Sequence, residues 1–83
     1  GLSEQFNSIE FGPNPSQDGL FVFSEDLEIQ SLVNELGQSV SYSQNKTGTE
    51  TQLQLNDNLH GNYFLTYRVS QSQLNTIKLV VIK

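Results

Sequence analysis

Eighty-three residues carry nine acidic side chains, four basic ones and one histidine, with no cysteine, methionine or tryptophan. A chain this short builds a single thin core, burying about 60–65% of the surface its unfolded form exposes, so a deep catalytic cavity is hard to build. The missing cysteines exclude disulfide frameworks, thiolate nucleophiles and Cys-based metal sites, one histidine excludes a His-rich zinc centre, and a net charge of -5 disfavours nucleic acid.

At the N-terminus, Gly1–Glu10 lacks the basic start and apolar stretch of a signal peptide, and the first residue is not Met. Residues 1–8 are therefore expected to be a linker or expression remnant from a larger protein, with the domain proper at 9–83. Phe6, Ile9 and Phe11 make a short apolar entry that Gly12-Pro13-Asn14-Pro15 ends, because two prolines fix φ twice and remove two donors. Gln17-Asp18-Gly19 supplies a second turn. Leu20-Phe21-Val22-Phe23 reads as a buried strand. Leu27, Ile29, Ser31 and Val33 then alternate with Glu28, Gln30, Leu32 and Asn34, with Ser31 and Leu32 as imperfections in the period.

Asn34-Glu35-Leu36-Gly37 reads as a hairpin connection, since Gly37 takes a positive φ without a Cβ penalty, and Val40 and Tyr42 alternate on the expected return strand. Ser43–Glu50 reads as a polar loop around Gly48. Leu53 and Leu55 mark a fifth strand, and Asn56–Gly61 a turn. Tyr63, Leu65, Tyr67 and Val69 alternate with Asn62, Phe64, Thr66 and Arg68, and Ser70–Asn75 is a polar hairpin loop. Ile77–Lys83 is the strongest β segment of the chain, and its Leu79–Ile82, equalled by Leu20–Phe23, is a longest strictly apolar run, far below the ~20 residues of a membrane span. Seven short strands with turns every eight to twelve residues predict an all-β fold, an immunoglobulin-like antiparallel β-sandwich. An α/β alternative needs helices of ten or more residues, and none is written here.

Charge is segregated: all nine acids lie within residues 1–57, where Lys46 is the only base, and residues 58–83 hold Arg68, Lys78 and Lys83 without an acid. Side-by-side strands from the two parts would let these charges attract across the sheet; the sharper alternative presents the cationic part to a partner. Ser, Thr, Asn and Gln make up 32 of the 83 residues, a composition associated with secreted modules.

No constellation points to chemistry. His60 stands in a turn without the nucleophile and orienting acid that a catalytic imidazole requires, and no serine sits in a Gly-x-Ser-x-Gly elbow. Glu25-Asp26-x-Glu28 and Asp57-Asn58 offer oxygen ligands but not the spacing of a calcium loop, and read as a solvated acidic edge. Asn45-Lys46-Thr47 matches a glycosylation tripeptide and reads as surface. Among the aromatics, Phe64 and whichever of Phe21 and Phe23 faces outward are the candidates for a sugar-stacking platform; alternating aromatics are more often core. The chain is expected to be no enzyme, with no cofactor, no metal and no catalytic residue.

Taken in order, the punctuation forms a recognisable series: Ile9-x-Phe11, Pro13-Asn14-Pro15, Gly19-x-Phe21-x-Phe23, Val33-Asn34-x-x-Gly37-x-x-Val40, Leu53-x-Leu55, Leu59-x-Gly61-x-Tyr63 and Lys78-Leu79-Val80-Val81-Ile82-Lys83. From Ile9 to Lys83 the chain resembles the type A C-terminal sorting domain of the type IX secretion system, also called the Por secretion system sorting domain. The resemblance implies a secretion signal that directs a cargo, N-terminal in the parent chain, through the periplasm and across the outer membrane to the cell surface or the exterior. It implies the secretion machinery and a sortase-like surface protease as partners, neither nucleic acid nor a membrane span, and an essential C-terminal strand. Carried over residue by residue, the sorting motif comprises Pro13, Asn14 and Pro15 in the first turn, Gly37 in the hairpin, Leu59, Gly61 and Tyr63 at the late turn and strand, and Lys78, Val80 and Lys83 on and around the terminal strand. Gln38, Ser31 and Asn62 depart from the family's usual residues. The alternative is an adhesive or carbohydrate-binding accessory sandwich of an extracellular enzyme. On the residues alone, the terminal strand is expected at a sheet edge, with free N–H and C=O groups for a receptor strand and its lysines discouraging random pairing.

Overall fold

Period-two alternation becomes strands over most of the chain. A computed structural model describes residues 11–56 and 60–82, and its strands are β1 (Phe11–Gly12), β2 (Leu20–Phe23), β3 (Leu27–Asn34), β4 (Tyr42–Thr47), β5 (Glu50–Leu55), β6 (Gly61–Val69) and β7 (Asn75–Val81). All sheet pairings between them are antiparallel. One sheet has the order β1-β2-β5-β4 and the other β3-β6-β7. Lettered A to G in chain order, these are the ABED and CFG sheets of the constant-type immunoglobulin sandwich. The all-β, immunoglobulin-like expectation holds.

The alternation places every second side chain between the sheets. Phe21 and Phe23 of β2, Leu53 and Leu55 of β5, Tyr63, Leu65 and Tyr67 of β6, and Leu79 and Val81 of β7 are buried with Leu27 and Leu32 of β3. Each fully buried Leu or Phe contributes about 1.5–3 kcal/mol relative to exposure, so this cluster is what holds the two layers together. Phe11 extends it, its ring stacked on Phe23 with centroids 5.0 Å apart. Both candidate stacking phenylalanines of β2 thus belong to the core. Where the chain crosses between sheets after β2, the buried hydroxyl of Thr51 accepts from the Leu27 amide (3.0 Å) and donates to the Glu25 carbonyl (2.8 Å). The Leu27 amide is buried there and would otherwise lack a partner, although Ser24–Asp26 themselves are exposed.

The imperfections at Ser31 and Leu32 have a physical cause. The β3–β6 register shifts between Ile29 and Ser31, a β-bulge at Gln30. One extra residue reverses the parity, so Leu27 and Ile29 face the core before it and Leu32 after it, while Ser31 pairs with Thr66 on the outer face. A polar residue at position 31 therefore costs no core contact.

Two local expectations are corrected. Ser43–Glu50 is not a loop: β4 and β5 are hairpin strands in full register from Tyr42↔Leu55 to Thr47↔Glu50, joined by Gly48 and Thr49. Gly48 has φ +61°, as the first central residue of a two-residue hairpin turn requires. The strand escaped the pattern because β4 is a sheet edge with Ser43–Thr47 all exposed, so no apolar alternation is demanded of it. The second correction concerns the return strand after Gly37. The Asn34–Gly37 turn is present, but the return makes only an isolated bridge at Val33↔Ser39 and the Val40 N–H bond to the Leu32 carbonyl before the chain crosses to the other sheet. Tyr42 begins β4, paired with β5.

Cross-strand charge attraction is visible where the two segregated parts meet. Arg68 donates to Glu28 at 3.2 and 3.3 Å, and the two residues are register partners on β6 and β3. Lys46 pairs instead with Asp26, at 2.8 Å within the acidic part.

Candidate functional site

Motif residues far apart in sequence converge on β7. After Gly12 the chain leaves the edge of the first sheet through cis Gly12–Pro13 and Asn14–Pro15 bonds and crosses to the outer side of β7. There the Asn14 side chain straddles the strand: its Oδ1 accepts from the Val80 N–H (2.9 Å) and its Nδ2 donates to the Lys78 carbonyl (3.3 Å). Two residues on, Ser16 makes a parallel bridge to Val81, its N–H donating to the Val80 carbonyl (2.8 Å) and its carbonyl accepting from Ile82 N–H (2.9 Å). The segment is a miniature strand laid on the edge of β7.

The loop is itself pinned. Ser16 is fully buried, and its hydroxyl accepts from the Leu20 N–H (3.1 Å) and has the Asp18 carboxylate and the Leu20 carbonyl, each at 3.0 Å, as acceptors. The Leu20 amide also reaches Asp18 Oδ1 at 3.2 Å. This backbone donor, and secondarily the Ser16 hydroxyl, holds the Asp18 carboxyl below its ordinary value. Gly19, with φ +77°, completes the return to β2. Ser16 is absent from the sequence motif; the signal was there in Ser16-x-Asp18-Gly19, a pattern of local side-chain-to-backbone bonding.

The free-edge expectation for the last strand is corrected in part. β7 is an edge strand of the β3-β6-β7 sheet, but Asn14 and Ser16 occupy its outward groups from the Lys78 carbonyl to the Ile82 amide. Leu79 and Val81 point into the core, Lys78 is exposed, and Val80 is half-buried on the outer face.

The other described motif residues gather at the end of the same sheet. Gly61 pairs with Val81 and Tyr63 with Leu79 on one side and Asn34 on the other. Gly61 has φ +149°, which disfavours any side chain there. Tyr63, near the start of β6, stands where the corner tyrosine of such sandwiches stands. Asn34 organises the Gly37 turn: its Oδ1 accepts from the amides of Leu36 (2.9 Å) and Gln38 (3.0 Å), and Gly37, at φ +81°, donates to its carbonyl. The departures Gln38 and Asn62 find partners here, Gln38 with the Asn34 side-chain amide and Asn62 with Glu35. Between this turn and Gly61 lies an open depression of about 190 Å³, with His60 on its rim. Leu59 and Lys83, Ile9 at the head of the motif series, and the Asp57-Asn58 pair lie outside the described residues. Among the described residues no group of three acidic, His or Cys side chains is placed to hold a metal ion, and no helix is long and apolar enough to cross a membrane.

Residues 11–83 match the family model of the secretion system C-terminal sorting domain, from the start of β1 onwards. No curated protein and no solved structure matches the chain. Sorting domains of this family mark the proteins that carry them for export across the outer membrane to the cell surface or beyond. With the family match running through the Pro-Asn-Pro loop, the β6 motif and β7 alike, the chain belongs to the type IX secretion C-terminal sorting domains.

Proposed function

We propose that the chain, over residues 9–83, is a non-catalytic address module that the secretion machinery reads as a folded sandwich, with β7 as its indispensable strand. Residues 1–8 link it to a cargo on the N-terminal side, and a sortase-like surface protease separates the two after export. The observation that carries this reading is the convergence on one strand. Pro13-Asn14-Pro15, Gly61, Tyr63, Lys78 and Val80 are neighbours only once the sandwich has formed, so a receptor that depends on their arrangement depends on the fold. A linear tag would need no such meeting of residues more than sixty positions apart.

The accessory carbohydrate-binding reading has thinner support, because Phe64 is the one outward aromatic left of its three candidates, and it is half-buried between Val33 and Lys78. A reporter carrying a Sec signal at its N-terminus and residues 1–83 at its C-terminus tests the choice. Export of the reporter to the medium or cell surface, in a host with a working type IX system, is expected; retention in the periplasm would rule the proposal out.

A further inference from the structure

Among the described residues, four strands lie at sheet edges, and three of them are short, bulged or partly covered. β1 has two residues, β7 carries Asn14 and Ser16, and β3 is bulged at Gln30 and bonded by Gln38 and Val40 beyond it. β4 differs. It runs six residues in unbroken register with β5. The Ser41 carbonyl accepts from the Asn56 amide, and Thr47 and Glu50 close the hairpin, so Ser41, Ser43, Asn45 and Thr47 turn their backbone groups toward β5. By alternation, the N–H and C=O groups of Tyr42, Gln44 and Lys46 face away from the sheet, and among the described residues they have no partner. Natural sandwiches seldom leave such an edge open without a use for it.

We propose that the outer edge of β4 is a strand-addition site for an extended segment of the export machinery that carries net positive charge. This rests on the sorting function proposed above and names its docking surface. Three donors and three acceptors in a row supply main-chain affinity for any extended chain. Charge selects which one. Around β4, among the described residues, Glu50 stands opposite Thr47, and Asp26, with Glu25 next to it in sequence, pairs with Lys46, the one base there, so the surroundings of the edge are net acidic. A second copy of the chain would bring the same net negative charge to its own β4 edge, so like charge would meet like. Lys46, pointing to the inner side of an edge strand, guards against indiscriminate pairing.

The test uses the Sec-reporter fusion with Gln44→Pro, which removes an outward-facing amide and leaves the β4–β5 ladder intact. Export is expected to fall by about tenfold, the order that a lost main-chain bond in a docking interface produces, with the melting temperature unchanged. Should Gln44→Pro lower the melting temperature, Lys46→Pro removes a neighbouring outward amide at an exposed position and carries the same expectation. Glu50→Lys reverses one charge beside the edge and is expected to lower export several-fold. Folded proline variants exported like the parent would overturn the docking site while leaving the sorting function standing; a parent fusion that stays in the periplasm would overturn both. Unchanged export of Glu50→Lys would overturn the basic character of the partner. Sedimentation showing a dimer of the parent domain that Gln44→Pro dissolves would assign the edge to a second copy and overturn the proposal.

Discussion

Asn14 acts through one side-chain amide that imitates a peptide group, accepting from Val80 N–H and donating to the Lys78 carbonyl as a neighbouring strand would. Asn14→Ala removes both bonds. It is expected to cost about 1–2 kcal/mol, the net worth of two hydrogen bonds, and to speed hydrogen exchange at the Val80 amide more than at Leu79, which faces β6. A melt unchanged within error, with unchanged exchange at Val80, would remove Asn14 from the account of β7. Tyr67 shows the opposite case. Its hydroxyl is buried and, among the described residues, has no hydrogen-bond partner. Burial, with the Glu25 carboxylate adding to it, pushes the phenol above its ordinary value. The sign follows from linkage: a raised folded pKa leaves stability intact below the unfolded value near about 10 and removes it as pH rises through the folded value. Tyr67→Phe discards an unsatisfied polar atom, so it is expected to be neutral or stabilising by about 1 kcal/mol and to flatten the alkaline loss of stability. Thermal melts of both proteins from pH 7 to pH 11 check this, and a destabilised Phe variant would show that the hydroxyl has a partner after all.

At the scale of elements, what was legible in the sequence followed burial. β2, β5, β6 and β7 each have one face in the core; Leu53 and Leu65 announced β5 and β6 through alternation, and the apolar runs around Phe21 and Leu79 announced β2 and β7. β4 has no buried face to announce it, and its Gly48 turn was the one signal available. The bulge at Gln30 was written as a broken period at Ser31 and Leu32, a defect in the pattern that only pairing with β6 interprets. Likewise Pro13-Asn14-Pro15 was legible as a turn, whereas its contact with β7, across more than sixty residues, was not, because nothing local encodes which edge a turn will cover. The double role of β7 bears on truncation experiments. Deleting Leu79–Lys83 removes two core side chains, and losses of about 2–5 kcal/mol for a single large-to-small change in a core indicate that the shortened domain will unfold. Lys78→Glu changes an exposed side chain of the same strand and is expected to keep the native melt. If β7 itself is read, that variant loses export while folded; if β7 serves only the core, export of Lys78→Glu equals that of the parent, and circular dichroism separates the two outcomes.

For the whole molecule, the charge distribution and the edges give one picture. Glu28 and Arg68 join the acidic and basic parts of the chain across β3 and β6, an exposed pair worth at most about 1 kcal/mol, so cohesion comes from the apolar layer between the sheets. Domains of this length hold about 4–12 kcal/mol in total, at 0.05–0.15 kcal/mol per residue, and two cavities in the core are enough to abolish the fold. That margin makes the folded-module claim testable without touching any surface residue. Leu53 and Leu65 lie on facing sheets and are fully buried, and neither side chain is part of the Asn14 contact with β7. The double variant Leu53→Ala, Leu65→Ala is expected to lose about 4–10 kcal/mol and to be unfolded by circular dichroism, with the surface side chains and β7 sequence unaltered. The decisive measurement is the fraction of a Sec-exported reporter that reaches the cell exterior when this variant replaces the parent domain. Accumulation in the periplasm is the expected result; export at the parent level from a demonstrably unfolded domain would mean that the signal is linear and that the sandwich is not what the machinery reads.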